Sequence, residues 1–349
     1  MEMRKVIAFG KNSFVLTLPH DFVERRKVKK GDLVLLEENK EGLSISLSPT
    51  KPHDEERSIT IQAEGKAAER VRTELVSAYL NNYDPILIIS PSLHSISKEV
   101  IGFIHSLAGL EVLEQTYSKI VAKSLLNDQE ISLKALIRRM DILTQSMIED
   151  AIKCVELLAD KKTKDLVELS QNIKERDEDV NRLYFLAYRV VKGALRNPSV
   201  ASRIDTTPGR LHRDYGIVLR IETVADQAKG ISEDLQHIIL DEKGRKELAT
   251  LFSLVFQKFQ ETMKSYYTGN KEIGYSIEIM NDKVYGELDA FYRGYAQWLL
   301  GKKRHGGNVD ETVGICVAAA KIVDGLKLMA RQTRNLARVI YSFEEDKGV

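Results

Sequence analysis

Two pairs of oxygen-bearing side chains at helical spacing are the residues of this chain best suited to chemistry. Glu222 and Asp226 lie four residues apart, and Asp177 and Asn181 have the same spacing. Residues four apart share one face of a helix, so each pair presents its oxygens in one direction. Antiparallel helices that bring the two pairs together would form a site for a hard or borderline cation. A solvated helix face explains the same spacing, and both interpretations stay open.

The first thirty residues concentrate positive charge that the whole chain does not have. Eight Lys and Arg residues lie between residues 4 and 30 against two acidic ones, although the net charge of the chain is only +1. Such side chains bind phosphate backbones by releasing counterions, which predicts contact with DNA. The alternative is a basic face that only keeps this region in solution. The eight residues are Arg4, Lys5, Lys11, Arg25, Arg26, Lys27, Lys29 and Lys30.

The elements that carry these basic residues are short strands. Apolar, β-prone segments at 3–9, 14–18, 33–36 and 43–47 are separated by turn sequences. Four short strands cannot bury much surface alone, whereas two interleaved copies would cover their edges and build a shared core. The sequence therefore predicts a homodimer here. Gly31, in a Lys-Gly-Asp turn, is expected to need a positive φ.

The elements that carry the acidic pairs are long helices. After a polar, proline-containing linker at 48–56 and a small α/β segment at 57–123, the apolar spacing changes to the helical period near residue 132. Short breaks divide the rest into six helices, and short loops favour antiparallel neighbours. We therefore predict two three-helix bundles, at residues 125–241 and 244–343. In the first bundle, Asp214 is expected to begin the third helix, where an acid favours the helix dipole.

The second set of helices repeats the layout of the first but not its acids. Aligned without gaps, the second set carries uncharged or basic residues at the positions of the two acid-bearing pairs. The sequence therefore predicts that only the first set binds a metal, or that the second binds one much more weakly. The four replacing residues are Asn281, Tyr285, Arg331 and Asn335.

Several classes of protein are disfavoured by what the sequence lacks. The two cysteines, Cys154 and Cys316, are far apart and read as small core residues of a reducing compartment. The N-terminus lacks the apolar run of a signal peptide, and no charge-free apolar stretch is long enough to span a bilayer, so we expect a cytoplasmic protein without membrane insertion. His212 and His237 lack zinc-helix spacing and are expected at the surface. With no nucleophile–base pair, the chain is predicted not to be an enzyme.

The N-terminal segment resembles the AbrB/SpoVT (MazE-like) swapped-hairpin domain. The resemblance rests on Gly10, Ser13, an apolar strand that ends at Pro19, and Lys30-Gly31-Asp32 before the next strand. In that family two chains exchange hairpins and bind DNA as a dimer. The resemblance implies that residues 1–48 form a DNA-binding and dimerisation domain.

Residues from about 125 to 345 resemble PhoU, the phosphate-uptake regulator with two three-helix bundles. The matching motifs are Asp177-Glu178-Asp179-Val180-Asn181 and Glu222-Thr223-Val224-Ala225-Asp226. In that family these motifs hold iron or zinc, which implies a metal site formed by Asp177, Asn181, Glu222 and Asp226. The combination of both resemblances is similar to archaeal-type phosphate uptake regulators.

Together these observations predict a mainly α chain with a small β module: a swapped-hairpin β domain, a small α/β segment and two tandem three-helix bundles. The expected function is a DNA-binding regulator of phosphate homeostasis that is a homodimer or higher oligomer. Its helical region is expected to sense metal and to dock on a phosphate transporter ATPase or a sensor kinase. One alternative is an adaptor that does not bind DNA and inhibits such a transporter or kinase. Another is a carboxylate-bridged metalloenzyme.

Overall fold

The computed structural model describes residues 3–39, 42–47, 57–127, 130–158, 163–196, 200–201, 204, 206–303 and 309–342. The chain divides into two compact units, Met1–Glu56 and Arg57–Val349. The predicted linker at 48–56 lies outside the described residues. The predicted class is confirmed, because the described chain is mostly helical and its small β-sheets precede the bundles.

The N-terminal unit consists of two β-hairpins and one short helix. Strands β1 (Ile7–Phe9) and β2 (Ser13–Val15) pair antiparallel, with Ile7 opposite Val15. Strands β3 (Val34–Asn39) and β4 (Gly42–Leu47) form a second antiparallel pair. Between the pairs lies α1 (His20–Arg26), which has an acid in its first turn and two arginines in its last, an arrangement that favours the helix dipole.

Gly31 adopts the backbone conformation that the turn sequence predicts. Its φ is +97°, in a region that residues with a Cβ rarely occupy. The turn is closed by Asp32, whose Oδ2 accepts a hydrogen bond from the backbone N–H of Lys29 at 2.7 Å. This turn sets the chain direction at the entrance to β3.

The N-terminal unit has no buried side chain among those that the structure describes within it. Its large apolar side chains face solvent instead: Met3 is 97% exposed, Phe14 74%, and Phe9 and Leu33 70% each. Large apolar side chains exposed to this extent are typical of an interaction face. The side chains described in a single copy of this unit therefore form no hydrophobic core.

The second unit begins with four strands and two helices. They are β5 (Ile59–Gln62), α2 (Ala68–Leu80), β6 (Ile86–Ile89), α3 (Ser97–His105), β7 (Leu110–Gln115) and β8 (Lys119–Ser124). The strands form a mixed sheet in the order β5-β6-β8-β7. Strand β5 runs parallel to β6, and the β6–β8 and β8–β7 pairs are antiparallel. Helices α2 and α3 cover the sheet, and side chains such as Leu75 and Tyr79 are fully buried against Ile86 and Ile88.

Six long helices make up most of what the structure describes after residue 130, as the apolar periodicity predicts. Side-chain caps fix where three of them begin: Ser132, Thr207 and Asp241 each accept a hydrogen bond from a backbone N–H three residues on. The helices are α4 (Leu133–Leu157), α5 (Thr163–Arg196), α6 (Pro208–Asp234), α7 (Glu242–Thr268), α8 (Lys271–Lys303) and α9 (Val309–Tyr341).

The helices pack as two sets of three that share one core. Helices α4, α5 and α6 contact one another, as do α7, α8 and α9. The sets meet where α6 packs antiparallel along α9, with Gly216 beside Val339 at one end and Gly325 against Ile231 at the other. A Cβ on Gly325 would lie 3.0 Å from Ile231 Cγ1, so a small residue is needed at this close approach.

Candidate functional site

The four predicted ligand residues lie on two adjoining helices of the first bundle. Helix α5 supplies Asp177 and Asn181, and helix α6 supplies Glu222 and Asp226. Asp177 is 4% exposed and accepts a hydrogen bond from Asn181 Nδ2 at 3.1 Å. Glu222 is half-buried, whereas Asp226 is exposed. Because α5 and α6 pack against each other, the acidic side chains lie together along the contact between these two helices.

A lysine that the sequence analysis did not single out joins the two helices. Lys229 Nζ donates to Asp177 Oδ2 at 2.7 Å and to Asp226 Oδ1 at 2.6 Å. Its side chain is 24% exposed, against 6% for Asp177 and 50% for Asp226. The Lys229–Asp177 ion pair is therefore largely shielded from solvent, whereas the Lys229–Asp226 ion pair lies near the surface.

Burial and neighbouring charges shift the pKa values of two groups in this cluster, Glu222 and Lys229. Burial raises the pKa of Glu222, and repulsion from Asp226 and Asp177 adds to that effect. Burial lowers the pKa of Lys229, but its hydrogen bonds to Asp177 and Asp226 outweigh this, so the net shift is upward. The ammonium is thus held charged between the acids.

A group of tyrosines, also missed by the sequence analysis, adjoins Glu222 through Tyr184. Burial raises the pKa of Tyr184 to about 12, and neighbouring Tyr215 and Glu222 contribute in the same direction. Tyr188 meets Tyr215 edge-on, with ring centroids 5.6 Å apart. The spacing of Tyr184 and Tyr188, four apart on α5, was a signal that could have placed them on one face.

The arrangement of these side chains does not fit a bound metal as it stands. Carboxylates that coordinate a cation turn their oxygens to one point, whereas here one oxygen each of Asp177 and Asp226 accepts a hydrogen bond from the Lys229 ammonium. Within the described residues, no group of three or more His, Cys, Asp or Glu side chains is placed to hold an ion. Iron or zinc at Asp177, Asn181, Glu222 and Asp226 stays a prediction.

The second bundle joins its helices through different charges. Glu278 on α8 accepts from Arg338 Nε on α9 at 2.8 Å, and Lys327 Nζ on α9 donates to Asp289 Oδ1 on α8 at 2.5 Å. Arg331, at the position aligned with Glu222, is exposed. The side chain of Asn281 lies outside the described part of the chain.

The predicted position of Asp214 is wrong. Helix α6 begins at Pro208, so Asp214 lies beyond its first turn, where it is 3% exposed. Its Oδ1 accepts from Arg213 Nε at 2.8 Å and from the Tyr266 hydroxyl at 3.5 Å. Asp214 thus links α6 to α7 instead of serving the helix dipole. His212 and His237 are exposed, as expected.

All eight basic residues predicted to contact DNA are exposed on the N-terminal unit. Arg25 Nε bonds back to the backbone oxygen of Asp21 in the same helix, at 3.2 Å. Lys27, at the end of α1, has a φ of +53°, and Lys29 and Lys30 follow in the turn closed by Asp32. Their role in binding DNA stays a prediction.

Of the helices in the described ranges, none combines the length and the apolar character needed to cross a bilayer.

Comparison with known proteins gives one family. No curated protein matches the chain. The family model described as the PhoU domain matches residues 137–235, which run from the first turns of α4 to just beyond the end of α6 and include every residue of the acidic cluster. Over these 99 of its 349 residues the chain is similar to the PhoU domain.

Proposed function

We propose that this chain is a DNA-binding regulator of phosphate homeostasis, in which the N-terminal unit contacts DNA and the helical unit is the sensor. One observation carries the DNA-binding part: eight exposed Lys and Arg side chains lie on a unit of about fifty residues, in a chain whose net charge is only +1. Local charge of this kind attracts a polyanion even when the whole molecule is nearly neutral. The PhoU match favours a regulator over an enzyme.

The N-terminal unit acts as a homodimer in this proposal. Phe9, Phe14 and Leu33 are at least 70% exposed. Exposing such side chains forgoes about 1.5–3 kcal/mol each relative to full burial, and fifty residues form too small a core without assistance. A second copy of the same unit would cover these side chains and double the number of cations presented to DNA.

The sensor part of the proposal rests on the seam between α5 and α6. Lys229 forms ion pairs with Asp177 across the seam and with Asp226 on its own helix, and Glu222 lies beside this cluster. A partner such as a phosphate transporter ATPase or a sensor kinase that binds at this seam would alter this balance. Coupling between such a site and DNA binding is typically worth about 1–3 kcal/mol.

Binding of the full-length chain to duplex DNA over a series of salt concentrations tests the proposal. The affinity should fall steeply as salt rises, because each phosphate contact lowers the slope of log K against log salt by about 0.9. Replacing Arg25 and Arg26 with alanine should make the slope less steep. The matched control, Arg182→Ala, removes an exposed arginine from α5 and should leave the slope unchanged.

The rival function is an adaptor that does not bind DNA. The exposed apolar side chains of the N-terminal unit favour it equally, since they require a dimer but no nucleic acid. A dimer that shows no DNA binding at low salt would establish the adaptor and refute the DNA-binding proposal. Locating the bound protein across its genome, with and without phosphate, would then identify the sites it regulates if DNA binding holds.

A further inference from the structure

A cavity of about 400 Å³ lies at the seam between the two bundles, and none of Asp177, Glu222 and Asp226 is among the described residues that line it. It is lined by the first half of α6 and the end of α9, and its titratable side chains are His212, Arg213, Tyr215 and Arg220. Val339 and Ser342 close the side formed by α9. None of the lining residues in the described chain carries a carboxylate, so the cavity wall is basic.

Arg220 is the unusual member of this wall. Its Nη1 donates to the backbone oxygen of Gly216, one turn earlier, at 2.6 Å. Its Nε is buried and has no hydrogen-bond partner among the residues that the structure describes. Burial lowers the pKa of Arg220, an effect that a nearby carboxylate would oppose. The Arg220 guanidinium lines the cavity and, among the described residues, has no carboxylate to offset its desolvation, so an anion in the cavity would be favourable.

Arg213 is held in place by other groups. Its Nε donates to Asp214, whose side chain is 5% exposed, and its guanidinium lies 5.4 Å from the centroid of the Tyr266 ring. Asp214 is thereby occupied with Arg213 and Tyr266 and does not neutralise Arg220. The cavity wall therefore contains Arg213, whose charge is compensated by Asp214, and Arg220, whose charge no nearby carboxylate of the described chain compensates.

We propose that this cavity binds a phosphoryl group, with Arg220 as its main ligand and Arg213 and His212 at its margin. Guanidinium groups bind phosphate oxygens with strong, charge-assisted hydrogen bonds. A volume of about 400 Å³ lies within the range of small-molecule sites, so the cavity has room for a phosphorylated metabolite as well as for inorganic phosphate.

Occupation of this cavity would bear directly on the packing of the two bundles. The site is built from α6 and α9, the helices along which the bundles meet. A ligand that bridges Arg220 and the end of α9 would stabilise that contact. This inference deepens the proposed role in phosphate homeostasis, but binding to purified protein can succeed or fail independently of DNA binding, so the two proposals are separable.

Calorimetric titration of the full-length chain at constant ionic strength tests the site. Inorganic phosphate, sulfate and a nucleoside diphosphate are titrated separately, with chloride as the background anion. We expect saturable binding of at least one phosphoryl ligand to the wild type and a loss of at least about tenfold in affinity for Arg220→Met, because a charge-assisted contact is removed. Arg182→Met, on the far helix α5, should bind as the wild type does.

A second pair of variants leaves Arg220 intact. Val339→Glu adds a carboxylate to the wall and should weaken binding by a similar factor, whereas the isosteric, uncharged Val339→Gln should weaken it much less. The comparison of these two variants tests the proposed site even if Arg220→Met fails to fold. Binding of the nucleotide alone identifies a phosphate ester as ligand, and binding of inorganic phosphate identifies the free ion. Absence of binding by all three anions, or equal affinity of Val339→Glu and Val339→Gln, overturns the proposal.

Discussion

Replacing Lys229 with methionine removes the cation that joins α5 to α6 while keeping the aliphatic length of the side chain. The Asp177 arm is nearly buried, with only 6% of the Asp177 side chain exposed. Breaking a buried ion pair from one side costs about 3–5 kcal/mol, because the remaining charge is left without compensation. The Asp226 arm is half exposed and contributes less than about 1 kcal/mol.

We therefore expect Lys229→Met to lower the free energy of unfolding by about 3 kcal/mol, taking the lower end of the range because Lys229 is itself 24% exposed. Urea denaturation followed by circular dichroism measures this. Lys174→Met, an exposed position on α5, is the control and should change stability by less than about 0.5 kcal/mol. Adding Asp177→Asn to Lys229→Met should recover part of the loss, since the uncompensated charge is removed.

A loss below about 1 kcal/mol for Lys229→Met would refute the reasoning, since the pair would then behave as a surface contact. Adding a metal ion to both proteins tests whether a cation other than the Lys229 ammonium can stabilise the cluster. Zn²⁺ or Mn²⁺ should stabilise neither Lys229→Met nor the wild type, because no three acidic side chains of the described residues are placed to hold an ion. Equal stabilisation of both proteins would show that a metal displaces Lys229 readily and that the arrangement fits an ion after all.

Three further predictions follow from particular side chains. Gly31→Val should weaken the dimer measured by analytical ultracentrifugation, because a β-branched residue at φ +97° is strained by about 1–3 kcal/mol; an unchanged dimer constant would count against it. Burial raises the pKa of Asp141 despite bonds from Gln145 and Tyr267; its stabilising contribution is therefore complete below the unfolded value of about 3.9 and is lost as pH rises through the folded one. Asp141→Asn should flatten that part of the pH–stability curve, and an unaltered slope in urea titrations would contradict this. Burial raises the pKa of the Cys154 thiol to about 12, so iodoacetamide at pH 8 should label Cys316 in the native protein and spare Cys154, as peptide mass spectrometry would show.

Much of the helical unit was predictable because its signals are local. The apolar stripe that includes Ile137, Met140 and Met147 predicted α4, and each of these side chains is fully buried. The turn at Gly31 was predictable for the same reason, since its positive φ depends on four consecutive residues. The wrong prediction for Asp214 has two causes. Helix α6 begins at the Thr207 cap, and the residues around Asp214 in sequence do not indicate its contact with Tyr266 on another helix.

The sequence by itself determined which residues form helices and strands, where positive charge concentrates, and that acids lie on one face of α5 and of α6, because these properties depend on composition and on a fixed helical period. Only the tertiary structure decided that Lys229 occupies the space between Asp177 and Asp226, and that Arg220 lines a cavity without a carboxylate beside it. The energy of a charge depends on its burial and on partners that other helices bring to it. Those partners are distant in sequence and become neighbours only when the bundles pack.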